Sequence, residues 1–356
     1  LTIFLLGTGF GYFYVSRTSP NIQVNQEKNT PKAFLSESYD KIKDNFWDNI
    51  SDGQLIEFFR LAAEKNGASL PVKISSKDQL ITHLISAQNN LSSDQRAKFI
   101  PTVLGTVLVS LNPPGRSALY TQKQEVALKN VVENRNPKSG VVESTISHKI
   151  ISPGILYVQF KKFSPTSFDE FVKAFDSHKD NATLYGLILD LRGNVGGAID
   201  TTAYFLGLFL GKNQYAFDFY HKVEYQPFKT PTDKLPTISK YKQMVVLVDN
   251  QTQSSAEMMA ASFKKYHVGV VLGTPTKGWG TVERVFPLEN QINSQEKYSI
   301  FLVHSITLRD DNLPIEGSGI DPDINTTKAG WEDQLYSYFR NPQLTQAVKA
   351  VDDLNR

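Results

Sequence analysis

The sequence predicts an α/β protein with a mixed-sheet core and a helical region in front of it. Two observations carry this. From about residue 155 onward, short apolar runs such as Gly186–Leu191 and Met244–Val248 alternate with helical patterns in the order β-α-β-α-β-β-α-β-β-β. Before that point, between Phe34 and Leu111, apolar residues recur at helical spacing. The 356 residues are enough for one large domain, or one large domain with a helical appendage.

Each element is justified by its own residues. Leu1–Ser16 (LTIFLLGTGFGYFYVS) has no charge, and Tyr12, Phe13 and Tyr14 suit a membrane interface. It reads as the remaining part of an uncleaved membrane anchor (1–17), against the alternative of a buried strand or helix. The polar stretch that follows reads as a tether (18–33). Tyr39, Ile42, Phe46, Leu55, Phe58, Phe59 and Leu61 mark two helices separated at Ser51-Asp52-Gly53. Ser76–Leu91 and Ser93–Leu111 are two more, the second expected to break near Pro101. These form a helical region (34–120), and the core follows (121–356).

In the core, Gln122–Glu133 reads as a helix and Val141–Ile150 as a strand. Ile155–Phe160 is a strand and Ser167–Ser177 a helix. Tyr215–Tyr225 is expected as one strand, joined to Met244–Val248 by a loop over Pro227–Ser239. Val268–Leu272 and Gly280–Phe286 are strands, and Trp331–Val351 closes the chain as helix.

Two segments carry chemistry. In Tyr185–Leu210 a buried-type strand runs into a turn containing Gly193, Gly196 and Gly197, then into an apolar helix. Such a turn exposes backbone N–H groups at the carboxyl edge of a sheet. In Met244–Leu288 a strand runs through Asp249–Gln253 to Ser254, where a helix begins. A serine there has two readings: an N-cap completed by Glu257 in a capping box, or an exposed nucleophile beside N–H groups that hold an oxyanion.

Read together, the segments resemble the C-terminal processing peptidases, or tail-specific proteases. Leu189, Asp190, Leu191, Arg192, Asn194, Gly196 and Gly197 match that family's L-D-L-R-x-N-x-G-G pattern. Gln251–Glu257, Val271–Gly273, Thr276, Gly278, Gly280 and Val282 match its nucleophile segment and the strands after it. Pro314–Asp323 (PIEGSGIDPD) is similar to its S-I-Q-G-K-G-I-x-P-D. The resemblance covers roughly Leu35 to Val351. It implies a mixed-sheet core of the tail-specific protease type and a serine endopeptidase acting on protein C-termini or unfolded segments in the cell envelope. It implies Ser254 as nucleophile, with Gly196 or Gly197 and the Ser255 N–H as oxyanion hole.

The sequence departs from the pattern at the base. The position of the family lysine holds Trp279, and the glutamine that orients that lysine is Glu283. Lys277 is the nearest replacement, because strand alternation would put it on the same face as position 279; the alternative is a surface lysine. Glu283 is a second candidate base, or a carboxylate left where no lysine needs positioning. An inactive pseudoprotease that binds peptides or a partner protein is therefore the alternative function. Tyr120 to Ile155 is too short for the PDZ domain of most members, which leaves room for an adaptor in substrate delivery.

Other chemistry has little support. The histidines (His83, His148, His178, His221, His267, His304) lie outside any catalytic or metal-binding spacing, and there is no cysteine, so no metal and no cofactor are expected. A net charge of +2 gives no electrostatic case for nucleic acid. The expected partners are a protein or peptide substrate and, through the first segment, a membrane, with the folded body outside the cytoplasm.

Overall fold

A computed structural model describes residues 29–292 and 295–353. The expected anchor and most of the tether lie outside the described residues. None of the described helices is long and apolar enough to cross a membrane.

Four helices come first: α1 (Pro31–Asn45), α2 (Asp52–Lys65), α3 (Lys77–Asn89) and α4 (Ser93–Ser110). Their starts are written locally. Thr30 caps α1 ahead of Pro31, and Ser51 and Gln54 form a capping box on α2. Helix α1 therefore begins inside the last residues expected as tether. The expected break at Pro101 does not occur; α4 continues through it. Val103, Leu104, Val107 and Leu108 beyond the proline are fully buried, and that packing outweighs one lost backbone bond.

The strands form two sheets. The first contains β1 (Ala118–Thr121), β5 (Tyr215–His221), β6 (Glu224–Lys229), β9 (Thr281–Pro287) and β10 (Tyr298–Leu308), with β10 pairing β1, β5 and β9 antiparallel. Helices α1–α4 pack on it: Phe34, Leu55, Phe59, Leu104 and Leu108 share one core with Ile300, Leu302 and Ile306 of β10. The second sheet runs β11-β8-β7-β4-β3-β2, where β2 is Ile146–Ser152, β3 Ile155–Phe160, β4 Gly186–Asp190, β7 Gln243–Val248, β8 Val270–Gly273 and β11 Ile324–Asn325. Strands β3, β4, β7, β8 and β11 are parallel, and β2 is antiparallel to β3. The mixed α/β core is as the sequence predicts.

The central strands read as unbroken apolar runs because both faces are covered. Leu187, Leu189, Val246 and Val248 face a core shared with α6 (Ser167–Asp176), α7 (Thr202–Leu210) and α8 (Ser255–Lys265). Ile188, Val245 and Leu247 face α9 (Trp331–Phe339) and α10 (Pro342–Asp353) on the other side. Between β1 and β3 lie α5 (Gln122–Val132), a loop and β2, which starts at Ile146, later than Val141.

Two further expectations are corrected. Tyr215–Tyr225 is not one strand but the first part of the β5–β6 hairpin, whose turn is Lys222-Val223. Both residues have positive φ, 46° and 68°, in a turn that usually selects Asn or Gly. Tertiary contacts hold it: Lys222 N–H donates to Trp47 O, and its Nζ to Lys43 O and Asp44 O at the end of α1. The closing helix is two helices, divided at Arg340 in left-handed conformation (φ 51°).

Candidate active site

Strands β4 and β7 are parallel neighbours, so the turns after them meet at one edge of the sheet. Hydrogen bonds join them. Gly193 N–H donates to Asp249 Oδ1 (3.0 Å), Gln253 N–H to Asn194 O (2.9 Å) and Thr252 Oγ1 to Leu191 O (2.9 Å). Asn194 is fully buried. Its Nδ2 donates to Phe160 O at the end of β3, and its Oδ1 accepts the Gly196 N–H (2.8 Å).

Ser254 follows with φ 56° and ψ −124°, a conformation disfavoured for any residue with a Cβ. A serine forced into a strained strand-to-helix turn has its hydroxyl pushed clear of the sheet. The capping-box reading holds in part: the Glu257 carboxylate reaches back to the Ser254 N–H (2.8 Å). Ser255 opens α8, so its N–H lacks an intrahelical acceptor; its own Oγ is fully buried without a partner among the described residues.

Gly196 lies against the serine. A Cβ there would sit 2.7 Å from Ser254 Cβ and 3.1 Å from Ser255 N, and its φ of 78° suits glycine. The sequence-predicted residues Gly196, Gly197, Ser254 and Ser255 are thus brought together. Of the two glycines named for the oxyanion hole, Gly196 has its N–H taken by Asn194 Oδ1. Gly197 is fixed by Phe163, which bonds to both of its neighbours: Phe163 N–H donates to Gly196 O (2.9 Å), and Ala198 N–H to Phe163 O (2.8 Å).

The base side departs further. Residues 274–280 are a loop, not a strand, so alternation does not put Lys277 on the face of position 279. The Lys277 side chain is exposed, while its N–H donates to Thr252 O (2.9 Å) beside the nucleophile turn.

Glu257 is the hub, which sequence reading recognised only as a cap. Besides the Ser254 N–H, it accepts from Thr276 Oγ1 (2.5 Å), Gly278 N–H (2.7 Å) and Trp279 N–H (2.8 Å). Burial raises its pKa, and these bonds pull the other way. One carboxylate therefore ties the serine turn to the loop that carries position 279.

The Trp279 indole turns toward Glu283, donating Nε1–H to Oε1 (3.2 Å). Thr281 Oγ1 donates to the same oxygen (2.6 Å). Burial pushes the Glu283 carboxyl up to about 7, partly offset by these bonds and by Arg116. Arg116 and Glu316 complete this side and were missed. Glu316 stands inside a recognised motif, but nothing local links Arg116 to it across 200 residues of chain.

Among the described residues, no group of three or more His, Asp and Glu is placed to hold a metal ion. His304 is a half-buried strand residue. Burial takes its pKa down to about 3, helped by Arg284, whose Nη1 donates to His304 Nε2 (3.4 Å).

Residues 154–326, which hold the two turns, the loop and most of the second sheet, match the model of peptidase family S41. These residues, 173 of the 356, carry the likeness to peptidase family S41. The carboxy-terminal-processing protease of Bartonella bacilliformis is 26% identical over 172 residues, 47% of this chain and 38% of that protein. The carboxy-terminal processing protease CtpA of Bacillus subtilis is 35% identical over 127 residues, 35% of this chain and 26% of that protein. The chain therefore aligns with well under half the length of these two relatives. The photosystem II D1 C-terminal processing protease shares the fold at TM-score 0.55 and 14% identity, covering 83% of this chain and 93% of that one. A lipoprotein from Streptococcus agalactiae does so at TM-score 0.54 and 14% identity, covering 90% and 99%.

Proposed function

We propose that this chain is a serine endopeptidase of the C-terminal processing type, acting on protein C-termini or unfolded segments. One observation supports this most: Ser254 keeps a strained strand-to-helix backbone directly against the glycine turn. In this reading Ser254 Oγ attacks the scissile carbonyl. The Gly197 and Ser255 N–H groups receive the oxyanion, and Gly196 leaves the space it needs. A base takes the serine proton and returns it to the leaving amine; water then releases the acyl group. Lys277 is the proposed base. Its backbone is anchored beside the nucleophile turn, and a bound peptide covering the cleft would desolvate its amine. We place the folded body outside the cytoplasm, with Leu1–Ser16 as anchor, on the strength of that uncharged apolar segment.

A second reading is favoured by Trp279. An indole where the family has its lysine cannot accept a proton, which fits a pseudoprotease that binds peptides in the same cleft. A peptidase assay on unfolded substrates separates the two. Under the first reading wild type cleaves and both Ser254→Ala and Lys277→Ala abolish cleavage. Inert wild type that still binds peptide overturns the first reading, and active Lys277→Ala overturns the base assignment.

A further inference from the structure

We propose that Arg116 is a positioning residue of this site: stacked on Trp279 and ion-paired with Glu316, it holds the 276–280 loop against the Ser254 turn and couples the helical region to the nucleophile. The proposal deepens the reading of this cleft as the working site, but its geometry does not depend on cleavage.

The contacts are continuous. The Arg116 guanidinium carbon lies 3.4 Å from the centre of the Trp279 ring, the distance of a face-on stack. Its Nε and Nη2 donate to Glu316 Oε1 at 3.3 and 3.0 Å. The other oxygen, Oε2, accepts the Gly280 N–H (2.8 Å). One carboxylate thus grips both the arginine and the loop backbone. Trp279 passes the constraint on: its N–H shares Glu257 Oε2 with the Ser254 N–H, each at 2.8 Å. Arg116 to Trp279 to Glu257 to Ser254 is a chain of direct contacts.

Charge explains why a cation belongs there. Relative to the resembled pattern, the lysine is lost and Glu283 and Glu316 stand where glutamines do. With Glu257, these carboxylates crowd a half-buried cluster. Arg116 restores a positive charge, and its side chain and that of Glu316 are only 18% and 16% exposed. A guanidinium keeps its proton at every working pH, so Arg116 cannot be the missing base; its fork and flat face instead fix two partners in one plane.

A residue that merely glued the helical region to the core would change melting alone. The test therefore reads Trp279 itself, in the full chain, as the emission difference between each variant and the same variant carrying Trp279→Phe. The difference is followed from about pH 5 to 9, across the titration of Glu283, a carboxyl faced by Arg116, Tyr120, Thr281 and Trp279. In wild type it should titrate near the Glu283 value of about 7. Arg116→Gln is expected to shift the Trp279 emission and move the midpoint upward by up to about one unit, because a facing cation is gone. Arg116→Lys keeps the charge without the stack, so the midpoint should stay while the emission moves. Labelling of Ser254 by a fluorophosphonate should slow roughly 2- to 30-fold in Arg116→Gln. Unchanged Trp279 emission and midpoint in Arg116→Gln overturns the proposal. If that variant does not fold, Glu316→Gln is read the same way, and unchanged emission there overturns it too. Wild type that neither labels nor cleaves sinks the peptidase reading while the emission still decides the role of Arg116.

Discussion

The two halves of the proposed active site are built differently. On the proposed nucleophile side the parts are largely backbone: the strained Ser254, the Ser255 N–H at a helix start, and a glycine turn fixed by Asn194 and Phe163. On the proposed base side they are side chains, and positions 279 and 283 hold Trp and Glu. Backbone features follow from how two parallel strands end side by side. A base is one functional group on one residue, so one substitution deletes it. The loop around it is held through its backbone and Thr276 by Glu257, Glu316 and the Thr276–Ile320 pairing.

The sharpest way to break this contrast is at the serine. Ser254→Ala should leave folding intact and lower any peptide hydrolysis by several orders of magnitude. Residual cleavage at the wild-type rate would move the chemistry elsewhere.

Next in size is the hub between the halves. Glu257→Gln replaces an acceptor of four hydrogen bonds with an amide that turns a donor toward N–H groups. It should cost about 2–4 kcal/mol in urea denaturation. An unchanged midpoint would mean that the two halves are held together by something else.

Gly196→Ala tests the nucleophile side alone. The added methyl meets Ser254 Cβ at 2.7 Å in a backbone conformation that alanine resists. A stability loss of about 1–3 kcal/mol is expected, with fluorophosphonate labelling of Ser254 lost at the same time. Normal labelling would show that the oxyanion space lies elsewhere.

The smallest effect is a pH dependence from the base side. Burial raises the Glu283 pKa to about 7, above its unfolded value, so the folded state binds the extra proton. Its contribution to stability is complete below the unfolded pKa of about 4.5 and is lost as pH rises through about 7. Glu283→Gln should flatten the fall in melting temperature between those limits and melt higher than wild type at about pH 8. A steeper fall in the variant would reverse the assigned direction.

Much of this was legible in the residues. The alternation of buried runs and helical patterns placed β3, β4, β7 and α6–α8, and Ser51-Asp52-Gly53 marked the break between α1 and α2; Thr30, read as tether, is the cap of α1. The Lys222-Val223 turn was not legible, because neither residue favours positive φ and the hairpin is held by carbonyls of α1 and Trp47. Pro101 misled because a local breaker was outweighed by buried neighbours that no local pattern reveals. The alternation argument for Lys277 does not apply, because alternation holds only inside a strand, and loop 274–280 is shaped by the 315–320 segment packed around it.

What the sequence alone determined is the set of local features: two strand–turn–helix units, the serine at a helix start, and the absence of lysine at 279. These depend on the near neighbours of each residue, which is the range over which turn chemistry and periodicity act. What only the tertiary structure decided is which charges meet. Arg116 and Glu316 lie 200 residues apart in the chain. They come together because α4, just before Arg116, packs on β10, and the Ile315 N–H bonds to Thr307 O of the same strand. Glu257 changes from a helix cap to a hub for the same reason: burial removes water, and the carboxylate then takes its hydrogen bonds from whatever backbone the fold brings to it.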